Sequence, residues 1–357
     1  MNKGKNTATE KTYLSIVVTG RNDDYGNDFN DRLQNFISWT SLLIEKYNIL
    51  SEIILINYNP IKTKPSLYEK LNWPTNNKYL SIRIITIPEE IHKNYIDPKI
   101  RKTVPLFEFP AKNVGIRRAK GEIILSTNAD ILFHPKIFHY IAKGMIQSKS
   151  YYRTDRFDYN KIQSNEINNI NSYLKEIKAN VFKIYLKAFA YKFKNGAISK
   201  FKIKKKQIYN RFKIRLYLYL ISLAKSMKII PYFRTYDHLV LTYHTHCSGD
   251  FMLMHKKHWL NLQGYPENTY ISTHTDAIFT VMAASLGLKE IILKLPVYHQ
   301  DHQRRYDQHD NPNDKDSRNM LLQFYRDSKQ MESSEKPIIY NDSNWGWGNL
   351  SFEEITI

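Results

Sequence analysis

Four short apolar runs, each closing on polar residues, dominate the first third of the chain. They are "YLSIVVTG" at 13–20, "SEIILINYNP" at 51–60, "LSIRIITIP" at 80–88 and "GEIILSTN" at 121–128. Continuously apolar runs of this length suit strands covered on both faces, as in a parallel sheet. Between the first two lies "DRLQNFISWTSLLIEKYN", in which Leu33, Phe36, Ile37, Leu43 and Ile44 share much of one helical face. "PAKNVGIRRAKG" at 110–121 reads as a helix stopped by glycine just before the fourth strand. Strands alternating with helices predict an α/β fold, a mixed, mostly parallel sheet flanked by helices.

In such sheets ligands collect beyond the carboxyl ends of the strands. Arg21, Asn22, Asp23, Asn57 and Asp130 then fall along one rim. Each alone is also a good turn former; their recurrence at strand ends marks the rim as a binding edge. Asp130 stands out, because it follows a buried strand and is followed by the apolar Ile131-Leu132-Phe133. A carboxylate there needs a partner, and a divalent cation that in turn binds diphosphate is one.

Charge is unevenly spread. The chain carries 53 basic and 34 acidic residues, a net +19. Sixteen of the basic residues and one acid, Glu176, lie between Tyr173 and Lys228. Leu174, Ile177, Val181 and Ile184 give this stretch helical spacing, so it reads as a basic amphipathic helical insertion over 161–235. Two expectations compete for it: residues 165–230 lie on an anionic membrane surface, or they form a helical subdomain with solvated lysines. No helix-turn-helix, zinc-ligand or RNP-like pattern accompanies the charge, so nucleic acid is not expected. The longest apolar candidate, "LYLYLISLA" at 216–224, is far short of the roughly 20 residues a bilayer span needs. The amino terminus lacks the apolar core of a secretory signal. A single cysteine, Cys247, excludes an internal disulfide and fits a reducing compartment; beside histidines in "YHTHCSGDF" it reads as a structural thiol, with a nucleophile as the alternative. The expected location is cytoplasmic, peripheral on the inner face of the membrane.

The chain divides into a disordered start at 1–12, a first α/β half at 13–160, the basic insertion, a second half at 236–310, and a tail at 311–357. The second half holds "CSGDFMLMHKKHWLNLQGYPE", the helix "HTDAIFTVMAASLGL" and a last strand, "KEIILKLPVYHQDH".

"SIVVTGRND", "EIILINYN", "AKNVGIRRAKGEIILSTNADILF" and "GDFMLMHKKHWLNLQGYPE" with "HTDAIF" resemble GT-A glycosyltransferases. The pattern is similar to family-two enzymes with a galactosyltransferase-type C-terminal module, over about 13–150 and 240–305. Lys112, Asn113, Gly115, Ala119 and Gly121 match the family's frame before the metal strand. The family's Asp-x-Asp becomes Asn128-Ala129-Asp130 here, with Asp130 matching the last Asp. By this resemblance the first half would bind the nucleotide sugar and the second would hold the acceptor and catalytic groups. The resemblance implies donor contacts from Thr19, Arg21, Asn22, Asp23, Asn57, Lys112, Asn113, Asn128 and Asp130. It implies a divalent cation, Mn2+ or Mg2+, on Asp130 with His299 and His302, and cationic support from Arg304 and Arg305. Asp276 matches the general base, with Asp250 as the second candidate. Asp276 also suits the first turn of a helix, Asp250 a turn or an acceptor contact, and the histidines an ordinary surface loop. The implied activity is transfer of a sugar from a nucleotide-sugar donor to a glycan or lipid-linked glycan acceptor, with inversion. The alternative is a catalytically inactive nucleotide-sugar-binding or scaffold protein, favoured by Asn128. A nucleotidyltransferase fits poorly, since the loop "TGRNDDYGND" is acidic. "NWGWGNL" at 344–350 suits either a stacking surface or a strap packed on the core.

Overall fold

The computed structural model describes residues 11–95, 104–160, 162, 167, 169–193, 200–226, 235–267, 274–303 and 315–357. The expected disordered start falls almost wholly outside the described residues, as do Arg304 and Arg305.

The four apolar runs form β1 (Leu14–Gly20), β2 (Ser51–Tyr58), β3 (Leu80–Ile87) and β4 (Ile123–Thr127). They lie side by side, all parallel, in the order β3-β2-β1-β4. Every residue of β1, β2 and β4 is buried, which is why these runs show no polar alternation. The sheet then turns mixed. β5 (Ile131–Phe133), β6 (Ser150–Tyr159), β9 (Phe251–His255) and β10 (Lys289–Gln300) continue it as β4-β9-β6-β10-β5, with only β6 and β10 parallel. β11 (Glu353–Thr356) closes the far edge, antiparallel to β3.

Helices cover both faces. α1 (Phe29–Tyr47) buries Leu33, Phe36, Ile37, Leu43 and Ile44, the face its spacing predicts. After the short α2 (Leu67–Lys70) and α3 (Glu89–Tyr95) comes α4 (Glu108–Arg118), on the opposite face. Gly115 allows α4 to press onto β1: a Cβ there would stand 2.6 Å from Val17 Cγ1. Gly121 meets the chain of β1 as closely, at 2.6 Å from the Ser15 amide nitrogen. α5 (Pro135–Ala142) packs beside α1.

The basic insertion is not wholly helical. α6 (Ile170–Ala179) ends at Asn180, and a hairpin follows, β7 (Val181–Leu186) and β8 (Phe189–Lys192), with β7 paired to β6. Val181 and Ile184, expected to continue the helix, are strand residues instead. Val181, Phe182, Ile184 and Tyr185 favour a pleated strand, and β6 offers an edge to pair with. The 27-residue α7 (Lys200–Ser226) follows in the insertion, and α8 (Thr235–Thr242) lies at the start of the second half. α9 (Lys256–Asn261) and α10 (Thr275–Ser285) lead into β10.

Residues 315–357, the described part of the expected tail at 311–357, are integral to the domain. α11 (Lys315–Ser334) lies against α10, and the Trp-Gly segment is a strap over α4. Trp345 is buried, and Gly346 at φ 59° passes so near the Asn113 carbonyl that a Cβ would stand 2.7 Å from its oxygen. Arg117 and Arg118 donate to the strap carbonyls of Trp345, Gly346 and Trp347 at 2.8–2.9 Å.

β11 is pinned by Arg83, which donates to both Glu354 oxygens at 2.7 and 3.0 Å and to Glu52 at 2.9 Å. The Arg83 hydrogen bond holds the Glu354 carboxyl below its ordinary value of 4.5. A depressed folded-state pKa gives stabilisation that is complete above the ordinary value and is lost as pH falls through the depressed one. The protection factor of the Ile355 amide, its exchange rate relative to that of an unstructured chain at the same pH, is therefore expected to fall on acidification below about pH 4.5, and in Glu354→Gln to be low throughout that range.

Candidate active site

The carboxyl ends of β1, β2 and β4 share one edge, which brings Thr19, Asn57 and Asn128 to the expected rim. The loop after β1 is braced internally. Arg21 donates to the Asn59 carbonyl and to Asp23, both at 2.7 Å. The Asn22 side chain donates to the carbonyls of Ile61, Lys64 and Pro65 and accepts from the Ile61 amide. Asn22 thus ties two rim loops together. Asn57 is buried with an Oδ1 that no described residue satisfies, which leaves it able to accept from a ligand.

Asp130 lies between β4 and β5. Pairing of β5 with β10 sets Ile131 opposite His299, and the Gln300 amide donates to the Asp130 carbonyl at 3.0 Å. This register delivers two histidines to one carboxylate: Asp130 Oδ2 lies 3.1 Å from His302 Nε2 and 3.5 Å from His299 Nε2. The loop after β1 closes the other side, with the Tyr25 ring edge-on to His302 at 5.2 Å. Burial opposes the charge on Asp130, but His299 and His302 outweigh it and hold the carboxyl well below the usual range. Burial and Arg156 oppose protonation of His299, yet Asp130 and Asp158 prevail and raise its pKa.

The ligand atoms of Asp130, His299 and His302 lie within 4.8 Å of one another, and the buried Asp130 Oδ1 has no hydrogen-bond partner. A convergent carboxylate and two imidazoles fit a divalent cation. Asp158, His299 and Asp301 also converge, but Asp158 is held by Arg156 at 2.6 Å. A cleft of about 350 Å³ opens beside the triad, lined by His299, His302, Asp301 and, from the hairpin, Lys183, Tyr185 and Lys192.

Asp276 begins α10. Its Oδ2 accepts from the Gly249 amide at 2.6 Å and its Oδ1 from the Ala277 amide at 2.9 Å, and the side chain keeps partial exposure. It is also a first-turn residue, so the structural and chemical expectations coincide at one position. Asp250 differs: it is buried, with Oδ1 accepting from Asn128 at 2.9 Å and Oδ2 from Arg156 at 3.1 Å.

These residues form one hydrogen-bonded chain. Asp276 holds the Gly249 amide, and the Gly249 carbonyl accepts from Lys112 at 3.0 Å. Lys112 also donates to Glu108 and Asn128, each at 2.6 Å. Asn128 donates to Asp250, Asp250 accepts from Arg156, and Arg156 contacts His299 at 3.0 Å. Burial pushes the Glu108 carboxyl up; Lys112 offsets part of that, while Asp276 and Asp250 add to it. The loop carrying Gly249 and Asp250 is set by the fully buried Arg153 of β6, which donates to the carbonyls of His244, His246 and Ser248.

Four expected donor contacts have their side-chain polar atoms taken within the protein: Asn22 and Asn128, as described above, and Lys112 and Asn113. Lys112 is fully buried with three internal acceptors. The Asn113 side chain donates to the Tyr265 carbonyl and Glu267 and accepts from the Tyr265 amide, all at 2.8 Å. Burial pushes the Cys247 thiol up to about 12, which disfavours the thiolate a nucleophile needs. Glu108, Arg156 and Asp158 were not singled out in the sequence. The i,i+4 spacing of Glu108 and Lys112, and the charged alternation of "RTDRFDY" inside a strand, are the signals that could have found them.

The network explains Asn128. Its Oδ1 faces a lysine and its Nδ2 a carboxylate, a pairing only an amide satisfies. Asn128→Asp would set two carboxylates about 3 Å apart, so one must be protonated or expelled. The expected result is a loss of about 1–3 kcal/mol at neutral pH, diminishing on acidification as the pair takes up a proton. Chemical denaturation at pH 5 and pH 8 measures it.

No protein-family model matches the chain, and no curated protein matches it. Among solved structures, GalNAc-T7 with UDP, GalNAc and Mn2+ aligns at TM-score 0.44 and 9% identity, over 93% of this chain and 53% of that one. S. aureus TarS 1–349 aligns at 0.36 and 13%, over 81% and 60%, and the same protein in complex with UDP-GlcNAc at 0.42 and 10%, over 90% and 71%. The chain spans about half the length of the GalNAc-T7 chain. The functional reading rests on the side chains described above.

Proposed function

We propose that the protein is a GT-A glycosyltransferase that moves a sugar from a nucleotide-sugar donor to a glycan or lipid-linked glycan acceptor, with inversion. The observation that carries this reading is the single polar network joining the Asp130–His299–His302 triad to Asp276. The reaction needs two things at once: relief of charge on the departing diphosphate and removal of a proton from the attacking hydroxyl. The triad end would hold a divalent cation, which when bound neutralises the leaving diphosphate. Two imidazoles and one carboxylate suit Mn2+ better than the all-oxygen preference of Mg2+. Asn57, with its open acceptor, and the braced loop from Thr19 to Asp23 would receive the nucleoside. Asp276, partly exposed and oriented by two amides, would take the acceptor proton. A base on the side opposite the leaving group gives direct displacement and inversion.

Asp250, buried and ion-paired with Arg156, is the less suited of the two acids, and in this reading it holds Asn128 and Arg156. The scaffold alternative draws its support from Asn128, and the amide's place between Lys112 and Asp250 gives that residue a reason that does not require loss of catalysis. The test is release of free nucleotide from a panel of nucleotide sugars with Mn2+ and lipid-linked glycan acceptors. Acceptor-dependent release from one donor is expected; tight donor binding with no release from any pair would select the scaffold.

A further inference from the structure

α7 carries nine Lys or Arg and no acid, and it has two apolar arcs where a soluble helix needs one. The inner arc is accounted for. Ile214 and Ile221 are buried with Leu241 against Ala188 and Phe189, and Asn210 donates to the Lys187 carbonyl at 2.8 Å. The helix is therefore fixed to the body of the protein. The apolar residues of the outer arc include Ile208, Tyr209, Phe212, Leu216, Tyr219 and Leu220, all exposed, with Phe212 and Tyr219 at 65% and 64%; Lys205 lies on the same arc, one turn before Ile208 and Tyr209. At 3.6 residues per turn these six fall within about 120° of the helix circumference, opposite the buried stripe. Lys204, Arg211 and Arg215 border the arc on one side. Lys206 and Lys213 border it on the other, their ammonium groups 4.8 and 4.0 Å from the Tyr191 and Phe189 rings.

We propose that the outer face of α7 docks the protein onto an anionic lipid surface, its apolar arc entering the headgroup boundary and its two basic borders lying against the headgroups. Aromatic and aliphatic side chains in one arc with cations on both sides are the pattern of an interfacial helix. The charge borders call for anionic rather than neutral lipid. Ile208, Leu216 and Leu220 gain from acyl chains and offer nothing for base stacking, which sets lipid ahead of nucleic acid. Among the described residues no helix is long and apolar enough to cross a membrane, so α7 lies along the surface. The docking role rests on the reading of the acceptor as lipid-linked, which explains why such a face is useful to this enzyme.

Sedimentation with vesicles of phosphatidylcholine alone, or mixed with phosphatidylglycerol, tests it on the full chain. Wild type is expected to pellet only with the mixed vesicles. Lys204→Gln/Arg211→Gln/Arg215→Gln should weaken binding on the order of a hundredfold, and Phe212→Ser/Leu216→Ser/Tyr219→Ser by a comparable factor. Both variants should keep the wild-type melting temperature and release nucleotide from donor and a soluble acceptor at the wild-type rate. Unchanged vesicle binding in both variants overturns the proposal. So does a wild-type dimer that the serine variant dissociates without any vesicle binding, or retention of a duplex oligonucleotide in place of vesicles. Vesicle binding that depends on α7 in a protein with no transferase turnover would leave the docking role standing and remove the catalytic reading alone.

Discussion

Asp276→Asn is expected to lower turnover about 10²–10⁴-fold while leaving the affinity for the nucleotide donor unchanged. Asn has nearly the same shape, and its carbonyl can still accept from the Gly249 amide that Asp276 engages at 2.6 Å. The loop beneath should therefore hold, and what disappears is a group able to accept a proton. The donor end of the network, at Asp130, is several linked residues away, so donor binding should not sense the change. Asp250→Asn is the control that separates the two acids. Asp250 accepts from Arg156 and Asn128, so neutralising it leaves buried Arg156 short of one carboxylate and should reduce stability. Rates at saturating acceptor, with melting temperature measured beside them, distinguish these outcomes. If Asp250→Asn abolishes turnover in a protein of undiminished stability while Asp276→Asn turns over normally, the assignment is reversed.

The second large effect is at the triad. Asp130→Ala and His302→Ala are each expected to weaken Mn2+ binding on the order of a hundredfold or more, since each removes one of three ligands and outer-shell changes alone cost 10–100-fold. His302 is the cleaner site, because His299 also contacts Arg156 at 3.0 Å and Asp158 at 3.4 Å. Chelation should stop acceptor-dependent nucleotide release in the wild type. In His302→Ala, excess Mn2+ should restore part of it, whereas in Asp130→Ala it should not, because the carboxylate supplies the charge that attracts the cation. Calorimetric titration of Mn2+ into each protein is the direct check. Equal affinity in all three would remove the ion from this position. The two histidines also make physical sense of Asn128. With Asn128 committed to Lys112 and Asp250, imidazoles from β10 and the segment after it would supply the remaining ligands of a cation at Asp130.

Much of the parallel core was legible because strands covered on both faces leave uninterrupted apolar runs. β1, β2 and β4 are of this kind, and their polar endings mark the rim directly. The triad was legible only through the resemblance, since Asp130 and His302 are 172 residues apart and no local pattern relates them. The same distance problem hid the network: Asn128 meets Lys112 across 16 residues and Asp250 across 122. Lys112 and Asn113 were expected to face the donor, yet nothing in a helix sequence states whether a polar side chain turns inward to build the fold. The β7–β8 hairpin was misread because Val181 and Ile184 continue the 3.6-residue spacing of α6 by chance, while the decisive factor, pairing with β6, is non-local. β11 escaped notice for the opposite reason: Glu353 and Glu354 are exposed edge residues, and the ion pair with Arg83 fixes the strand rather than an apolar pattern.

The central claim is that one cleft holds a cation-bound nucleotide at Asp130, His299 and His302 and presents Asp276 to the incoming hydroxyl. A crystal grown with Mn2+ and a nucleoside diphosphate, with the ion located by anomalous scattering, tests it most directly. The expected result is an anomalous peak within bonding distance of Asp130 Oδ1 or Oδ2 and both imidazole Nε2 atoms, with phosphate oxygens on the same ion and the nucleoside along Thr19 to Asp23 and Asn57. A peak on other residues, or a nucleotide bound where Asp276 faces away from its phosphates, would contradict it.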